Sequence, residues 1–181
     1  MKGLFIFSND MEDIEALGTK ALLSRSGLTI HSATFHDDLN IQAAYGSKVQ
    51  ADYLVKNIDP LSYDFLVIPG GKYVGMTIDQ ADEMIDLVKS FHQNHKMIAA
   101  ICAGPRFLGR AGLLDKVPFT AYKGSEVDMP KGIYHPELKA LTHEGIITAR
   151  GAGAVYEFAY EIIKYTLGKE KAKAILDQIL Y

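Results

Sequence analysis

The chain opens with two alternating rhythms of apolar and polar positions. A continuous apolar run, GLFIF at 3–7, passes into a segment at about 12–26 where Met11, Ile14, Leu17, Gly18, Ala21 and Leu22 recur at helical spacing. This predicts a strand followed by a helix, with Asn9 or Asp10 capping the helix and Gly27 ending it. Residues 28–34 alternate as a strand, 36–46 are polar and irregular, and 49–58 predict a short helix before the turn at Asp59-Pro60. DFLVI at 64–68 is a second compact apolar run, closed by Pro69-Gly70-Gly71. A helix at about 79–94, the run MIAAI at 97–101 and a helix at 105–111 begun by Pro105 follow.

Short apolar runs separated by helical patterns predict parallel strands covered on both faces by helices, a doubly wound α/β sheet. After Leu114 the rhythm changes. Residues 119–122 predict a brief strand, LTHEGIITAR at 141–150 a hairpin turning at Glu144-Gly145, and 154–167 and 169–179 two closing helices.

Composition narrows the function classes. The 181 residues are 48% hydrophobic, enough for a substantial core in one domain, and 19 Lys plus Arg against 22 Asp plus Glu leave a net charge of −3. With no block of five like charges, neither a nucleic acid nor an acidic membrane surface is an expected partner. The apolar stretch at 4–7 is too short for a secretory signal, and no run is long enough to span a bilayer. A single cysteine allows no internal disulfide and no thiol cluster for a metal, which fits a reducing cytoplasm.

That cysteine, Cys102, ends the apolar run of IAAICAGPRF and precedes a helix. A side chain in this position is forced outward at the carboxyl edge of the sheet, where open α/β folds place their sites, and small neighbours Ala103 and Gly104 permit the sharp turn of a nucleophile elbow. Free cysteines are also among the most buried residues, so core packing is the competing interpretation. A thiol of ordinary pKa is about 3% thiolate at pH 7, and lowering the pKa to about 6 requires about 3.4 kcal/mol of preferential stabilisation of the anion.

Two further strand ends reach the same edge. Gly70 and Gly71 let backbone approach a ligand closely and offer N–H groups as oxyanion donors, although paired glycines also simply make tight turns. Glu15, in FSNDMEDIEA, lies at the margin of the first helix's apolar arc, where a charge that only complements the helix dipole is not expected.

Together, MEDIEA, VIPGG, AAICAGP and RGAGAVYEFA, in this order and spacing, resemble the ThiJ/PfpI superfamily, in particular the branch of the Parkinson-associated protein deglycase and its bacterial relatives. The resemblance covers essentially the whole chain as one ThiJ/PfpI-type domain, 1–181. It implies a flavodoxin-like three-layer α/β/α sandwich of the class I glutamine amidotransferase-like type, assembled as a homodimer. It implies Cys102 as the reactive thiol, Glu15 as the acid against its sulfur, and backbone N–H groups of Gly71 and Ala103 as the oxyanion hole. No cofactor and no metal are implied. The activities it implies are cofactor-free conversion of methylglyoxal to lactate, repair of glycated thiols and amines, chaperone action and oxidation-linked stress sensing; protease and thiamine-precursor roles carry little weight.

The chain also departs from the family pattern. Where relatives place a histidine or cysteine facing the nucleophile, aligning FTAYKGSE puts Ala121, and the residue after the cysteine is Ala103 in place of the peptidase branch's histidine. Arg25 matches a family arginine, whereas Tyr45 stands at its usual partner's position. Lys72 is placed at the pocket mouth and Gly151 in the loop near the site. His135 and His143 are the histidines able to fold back toward it. Because a carboxylate beside a thiolate raises both pKa values, the productive pair is a protonated Glu15 donating to the Cys102 anion. Two functions follow: a cysteine-dependent glyoxalase or deglycase acting on a small carbonyl substrate, or a redox sensor and chaperone in which Cys102 is oxidised to sulfinate.

Overall fold

In the computed structural model, which describes residues 1–181, the apolar runs become the inner strands of one sheet. In chain order the strands are β1 (Lys2–Ile6), β2 (Thr29–Thr34), β3 (Asn40–Gln42), β4 (Lys48–Gln50), β5 (Tyr53–Leu54) and β6 (Phe65–Ile68). They continue with β7 (Met97–Ile101), β8 (Pro118–Phe119), β9 (Ile133–Tyr134), β10 (Ala140–His143) and β11 (Ile146–Ala149). The main sheet has seven strands in the order β10-β11-β7-β6-β1-β2-β5, parallel except for β10 on β11, while β3-β4 and β8-β9 form small separate ribbons. Every residue of β6 and β7 is buried, as strands covered on both faces must be.

The helices are α1 (Thr19–Arg25), α2 (Lys72–Thr77), α3 (Asp82–Gln93), α4 (Pro105–Arg110), α5 (Val155–Leu167) and α6 (Lys169–Gln178). They cover the sheet as an α/β sandwich, and the core between the layers is rich in aromatics, with Phe5, Phe65, Phe91, Phe107, Phe119 and Phe158 fully buried. No helix is long and apolar enough to cross a membrane.

The strand order reverses between β1 and β6, so the loops leaving their carboxyl ends diverge and open a crevice there. The next strand, β7, ends at Cys102. The hairpin expected at 141–150 forms, with Glu144 (φ 44°) and Gly145 (φ 83°) both left-handed in its two-residue turn.

Three expectations are corrected. Residues 49–58 are not a helix: Lys48–Gln50 pairs with Asn40–Gln42, Tyr53–Leu54 joins the sheet edge, and only Val55–Asn57 makes a 3-10 turn. The strand expected at 119–122 is confined to Pro118–Phe119, and Thr120–Tyr122 runs on as coil, held by hydrogen bonds from Thr120 N–H to Thr148 Oγ1 and from Tyr122 N–H to the Cys102 carbonyl. The segment before α1 is a π-type turn, Ile14–Gly18, whose wider winding swings Ile14 out to 58% exposure and turns Glu15 fully inward. Neither Asn9 nor Asp10 caps it; the Glu12 carboxylate accepts the Glu15 N–H at 2.7 Å.

Candidate active site

Cys102 is the first residue beyond β7, and its backbone is left-handed at φ 62°. A β-carbon in that region is strained, and here the neighbours fix it: the Cys102 N–H donates to the Ala149 carbonyl at 2.8 Å and its carbonyl accepts from Tyr122 N–H at 2.8 Å. Residue 102 is thus clamped between β11 and the Tyr122 segment with its half-buried side chain facing the crevice.

Glu15 lies beneath it. The carboxyl is fully buried; Oε2 accepts the Gly70 N–H at 2.9 Å, and Oε1 is buried without a hydrogen-bond partner. Gly70 is the residue that lets thiol and acid meet, because a β-carbon there would stand 2.6 Å from the Cys102 Cβ and 2.7 Å from Glu15 Oε2. Its N–H is therefore taken by the acid and is not an oxyanion donor, contrary to the expectation for Gly70. Gly71 (φ 126°) presses against the backbone of Asp10, Met11 and Glu12, and the Glu12 N–H donates to the Gly70 carbonyl at 3.0 Å, locking the β6 loop to the turn that carries Glu15.

Burial pushes Glu15 up to about 7, and the Glu12 charge adds to it, while the neighbouring Cys102 thiol and the Gly70 and Ala152 N–H groups act in the opposite direction. For the thiol, burial and the neighbouring Glu15 carboxylate raise the pKa, while the Ala103 N–H lowers it. Of these influences on the thiol, desolvation is the largest. The two groups hold two protons below neutrality and share one above it, so the single negative charge belongs to the pair.

Tyr73 supports this arrangement from behind. Its buried hydroxyl donates to the Pro69 carbonyl at 2.8 Å, and burial, with the Glu15 and Cys102 charges, keeps it a neutral phenol. Tyr73→Phe leaves that carbonyl short of a partner and is expected to cost about 1 kcal/mol in urea denaturation, with the midpoint shifted and the slope unchanged.

The sulfur opens into a cavity of about 1140 Å³. Glu15, Gly71, Cys102 and Ala103 line it together with Tyr45, Lys72, Gly151 and the buried Ala121, so most of the expected site residues converge. Asp13 holds the Tyr45 loop, accepting the Tyr45 N–H at 2.8 Å and the Ser47 N–H at 3.0 Å, and the Lys72 ammonium lies 5.7 Å from the Tyr45 ring centroid. A β-carbon on Gly151 would be 3.9 Å from Cys102 Sγ. Arg25 is not part of this cavity: it lies exposed at the end of α1, in a separate groove with Ile14, Ala21, Val155, Tyr156 and Ile179. His135 pairs with Glu137 at 2.9 Å and His143 lies 3.9 Å from Glu144; neither lines the cavity. Sequence reasoning missed Arg106, Tyr122, Tyr134 and Arg150, all cavity residues. Arg106, Tyr122 and Arg150 lie within the quoted stretches IAAICAGPRF, FTAYKGSE and RGAGAVYEFA, whereas Tyr134 arrives by the β8-β9 pairing, which no short-range pattern announces.

No three His, Cys, Asp or Glu side chains are grouped to hold a metal ion. The Cys102 and Glu15 pair can do cysteine and carboxylic-acid chemistry: addition to an electrophilic carbon, proton transfer over the same atoms, and anion stabilisation by backbone N–H groups.

Known proteins share this arrangement of elements. Over 179 residues the chain is 28% identical to protein DJ-1 homolog A of Arabidopsis thaliana, covering 98% of this chain and 46% of that one, so it spans about half the length of that relative. It is 26% identical over 167 residues to the glutathione-independent glyoxalase DJR-1.2 of Caenorhabditis elegans, covering 92% and 89% of the two chains. Oxidized Toxoplasma gondii DJ-1 superposes with a TM-score of 0.91 at 30% identity, over 99% of this chain and 98% of that one. The DJ-1/PfpI family model matches residues 1–165, and with the fold and the elbow in place the chain belongs to the DJ-1/PfpI family.

Proposed function

We propose that the protein is a cofactor-independent, cysteine-dependent glyoxalase that converts methylglyoxal-type oxoaldehydes to hydroxy acids, with glycated adducts handled by the same thiol. The observation that carries this reading is the fully buried Glu15 carboxyl, anchored through one oxygen to Gly70 N–H, with its other oxygen unpartnered, and packed so near Cys102 that a β-carbon on Gly70 would overlap both.

In the reactive state Glu15 holds the pair's one proton and the charge is on sulfur. The thiolate adds to the aldehyde carbon of methylglyoxal, and the former carbonyl oxygen takes the proton from Glu15, giving a hemithioacetal and a Glu15 carboxylate. Ala103 and Gly71 N–H groups stabilise the oxygen while it is negative. The carboxylate then removes the proton from the former aldehyde carbon and returns it to the adjacent carbon, while the hydroxyl proton of the hemithioacetal passes to the neighbouring ketone oxygen, so one carbon is oxidised to the thioester and its neighbour reduced to the alcohol with no external oxidant. Water hydrolyses the resulting thioester, releases lactate and restores the thiol. Burial keeps Glu15 near neutrality in pKa, where one group serves as acid and base in turn.

The test is lactate formation from methylglyoxal by the purified protein with no added thiol. Turnover is expected, and it is expected to vanish in step with alkylation of Cys102 by iodoacetamide. Turnover that survives complete alkylation overturns the reading.

The half-buried thiol beside the buried Glu15 carboxyl also favours a second reading, a redox sensor in which two equivalents of peroxide oxidise Cys102 to sulfinate and are reduced to two waters. No lactate, together with a stable gain of two oxygens on Cys102, decides for it. A homodimer belongs to the same proposal; the exposed Ile14 and Tyr156, which share a groove with Ala21 of α1, Val155 of α5 and Ile179 at the end of α6, support it.

A further inference from the structure

The cavity over Cys102 is electrostatically unlike the rest of this acidic chain. Lys72, Arg106, Lys123 and Arg150 line it, and beyond Glu15 the acids that face it are Glu12 and Glu126. Both acids are engaged by backbone, Glu12 accepting Glu15 N–H at 2.7 Å and Glu126 accepting Gly124 N–H at 2.7 Å. Lys72, Lys123 and Arg150 form no ion pair.

Arg106 is the built element of this set. Its Nε donates to Asp128 Oδ2, while Arg110 Nε occupies Asp128 Oδ1 and Arg110 Nη2 reaches Asp79 at 2.8 Å. Asp128 is 6% exposed and holds Arg106 through one oxygen and Arg110 through the other, while Asp79 takes a second nitrogen of Arg110, so the cluster is balanced in charge and serves to fix Arg106 at the cavity wall. Burial opposes the Asp128 charge, yet the hydrogen bonds from Arg106 and Arg110 hold its carboxyl below the usual range, so the anchor stays ionised. The Arg106 side chain is 20% exposed, and no protein acceptor engages its terminal nitrogens. They lie against Gly75 of α2, where even a β-carbon would come no nearer than 3.6 Å to Nη1. A guanidinium fixed through Nε, partly desolvated and with free terminal N–H groups is the geometry that takes a carboxylate or phosphate through two parallel hydrogen bonds.

We propose that this site selects carbonyl compounds that carry an anionic group, a phosphate or a carboxylate, and that Arg106 binds that group while Lys72, Lys123 and Arg150 draw the anion in. The inference rests on the glyoxalase reading only for what happens at the reacting carbon. A cavity of about 1140 Å³ also far exceeds the needs of a three-carbon aldehyde.

The experiment uses two matched electrophiles, anionic iodoacetate and neutral iodoacetamide, which alkylate Cys102 with loss of iodide and need no turnover. At low ionic strength the iodoacetate-to-iodoacetamide rate ratio at Cys102 is expected to exceed that of free cysteine by about tenfold, and to fall toward it as salt is added. Arg106→Gln is expected to lower the ratio at least about threefold while the iodoacetamide rate, which reports an intact fold and thiol, holds. Inorganic phosphate is expected to slow iodoacetamide more than chloride of equal ionic strength does. Where Arg106→Gln does not fold, Lys72→Ala and the salt series on the unaltered protein carry the same comparison. A ratio equal to that of free cysteine, or one unmoved by both substitutions and by salt, overturns the proposal. Absence of methylglyoxal turnover would overturn the glyoxalase reading and leave this ratio as predicted.

Discussion

Glu15→Gln is expected to lower kcat/KM for methylglyoxal by about 10²–10⁴ and, in the same protein, to raise stability above neutral pH. Glutamine fits the carboxyl's place, with its carbonyl accepting the Gly70 N–H and its amide nitrogen in the place of the unpartnered Oε1. It therefore mimics the protonated acid and can still donate to sulfur, but it cannot take a proton from the hemithioacetal carbon. Iodoacetamide is expected to react with Cys102 in the variant within about tenfold of the unaltered rate, separating thiol activation from proton transfer. The stability change follows from linkage. The Glu15 carboxyl goes from an ordinary value of 4.5 to about 7 on folding, so its contribution is complete below 4.5 and is lost as pH rises through 7. That loss is about 3 kcal/mol above neutrality, and an uncharged glutamine does not suffer it; urea denaturation at about pH 8 is expected to show the variant more stable by about 1–3 kcal/mol. Activity of the unaltered protein is expected to rise with pH through about 7, as the pair loses the first of its two protons, and then to level off, because burial pushes the second well higher. A variant that turns over normally removes Glu15 from the proton path.

The parts of the fold and site that were legible in the sequence are those written in short-range chemistry. Continuous apolar runs such as FLVI and MIAAI have no exposed face to encode, so they read directly as inner strands. Cys102 and the diglycine were legible because each follows directly on an inner strand, and Glu15 because an acid bordering an apolar arc is out of place there. Residues 49–58 were not. Val49, Val55 and Ile58 are half-buried at a sheet edge, and spacing alone does not distinguish such a stretch from one helix turn. The inward turn of Glu15 was hidden for a different reason. A 3.6-residue wheel leaves it at the margin of the apolar arc, and only the π-type winding of Ile14–Gly18 carries it inside and Ile14 out. Gly70's role escaped because its N–H has two chemically plausible acceptors, a substrate oxygen or the buried acid. The choice depends on where Glu15 comes to rest.

Gly71→Ala is expected to be the most damaging small substitution in the chain, lowering stability by about 3–5 kcal/mol and abolishing activity with it. Two costs add. A β-carbon at φ 126° is strained in its own backbone, by about 1–2 kcal/mol, and the same carbon would sit 2.4 Å from the Asp10 carbonyl oxygen, 2.5 Å from Glu12 N and 2.7 Å from the Met11 carbonyl carbon. All three are main-chain atoms, so no side-chain rotation relieves the overlap, and the segment that must yield is the one that delivers Glu15 to Cys102. Gly27→Ala isolates the first cost, since Gly27 is also left-handed, at φ 94°, with nothing within 4 Å of its would-be β-carbon. It is expected to lose only about 1 kcal/mol and to keep full activity. Gly70→Ala isolates the chemistry. Its overlap is with the Cys102 Cβ, the Glu15 Oε2 and the Ala103 N, the reacting groups themselves, and its cost is expected mainly in kcat. Urea denaturation of the three variants alongside lactate assays separates backbone strain, scaffold clash and site disruption. Equal stabilities for Gly71→Ala and Gly27→Ala would show that the contact between the β6 loop and the turn before α1 is not what holds the acid beneath the thiol.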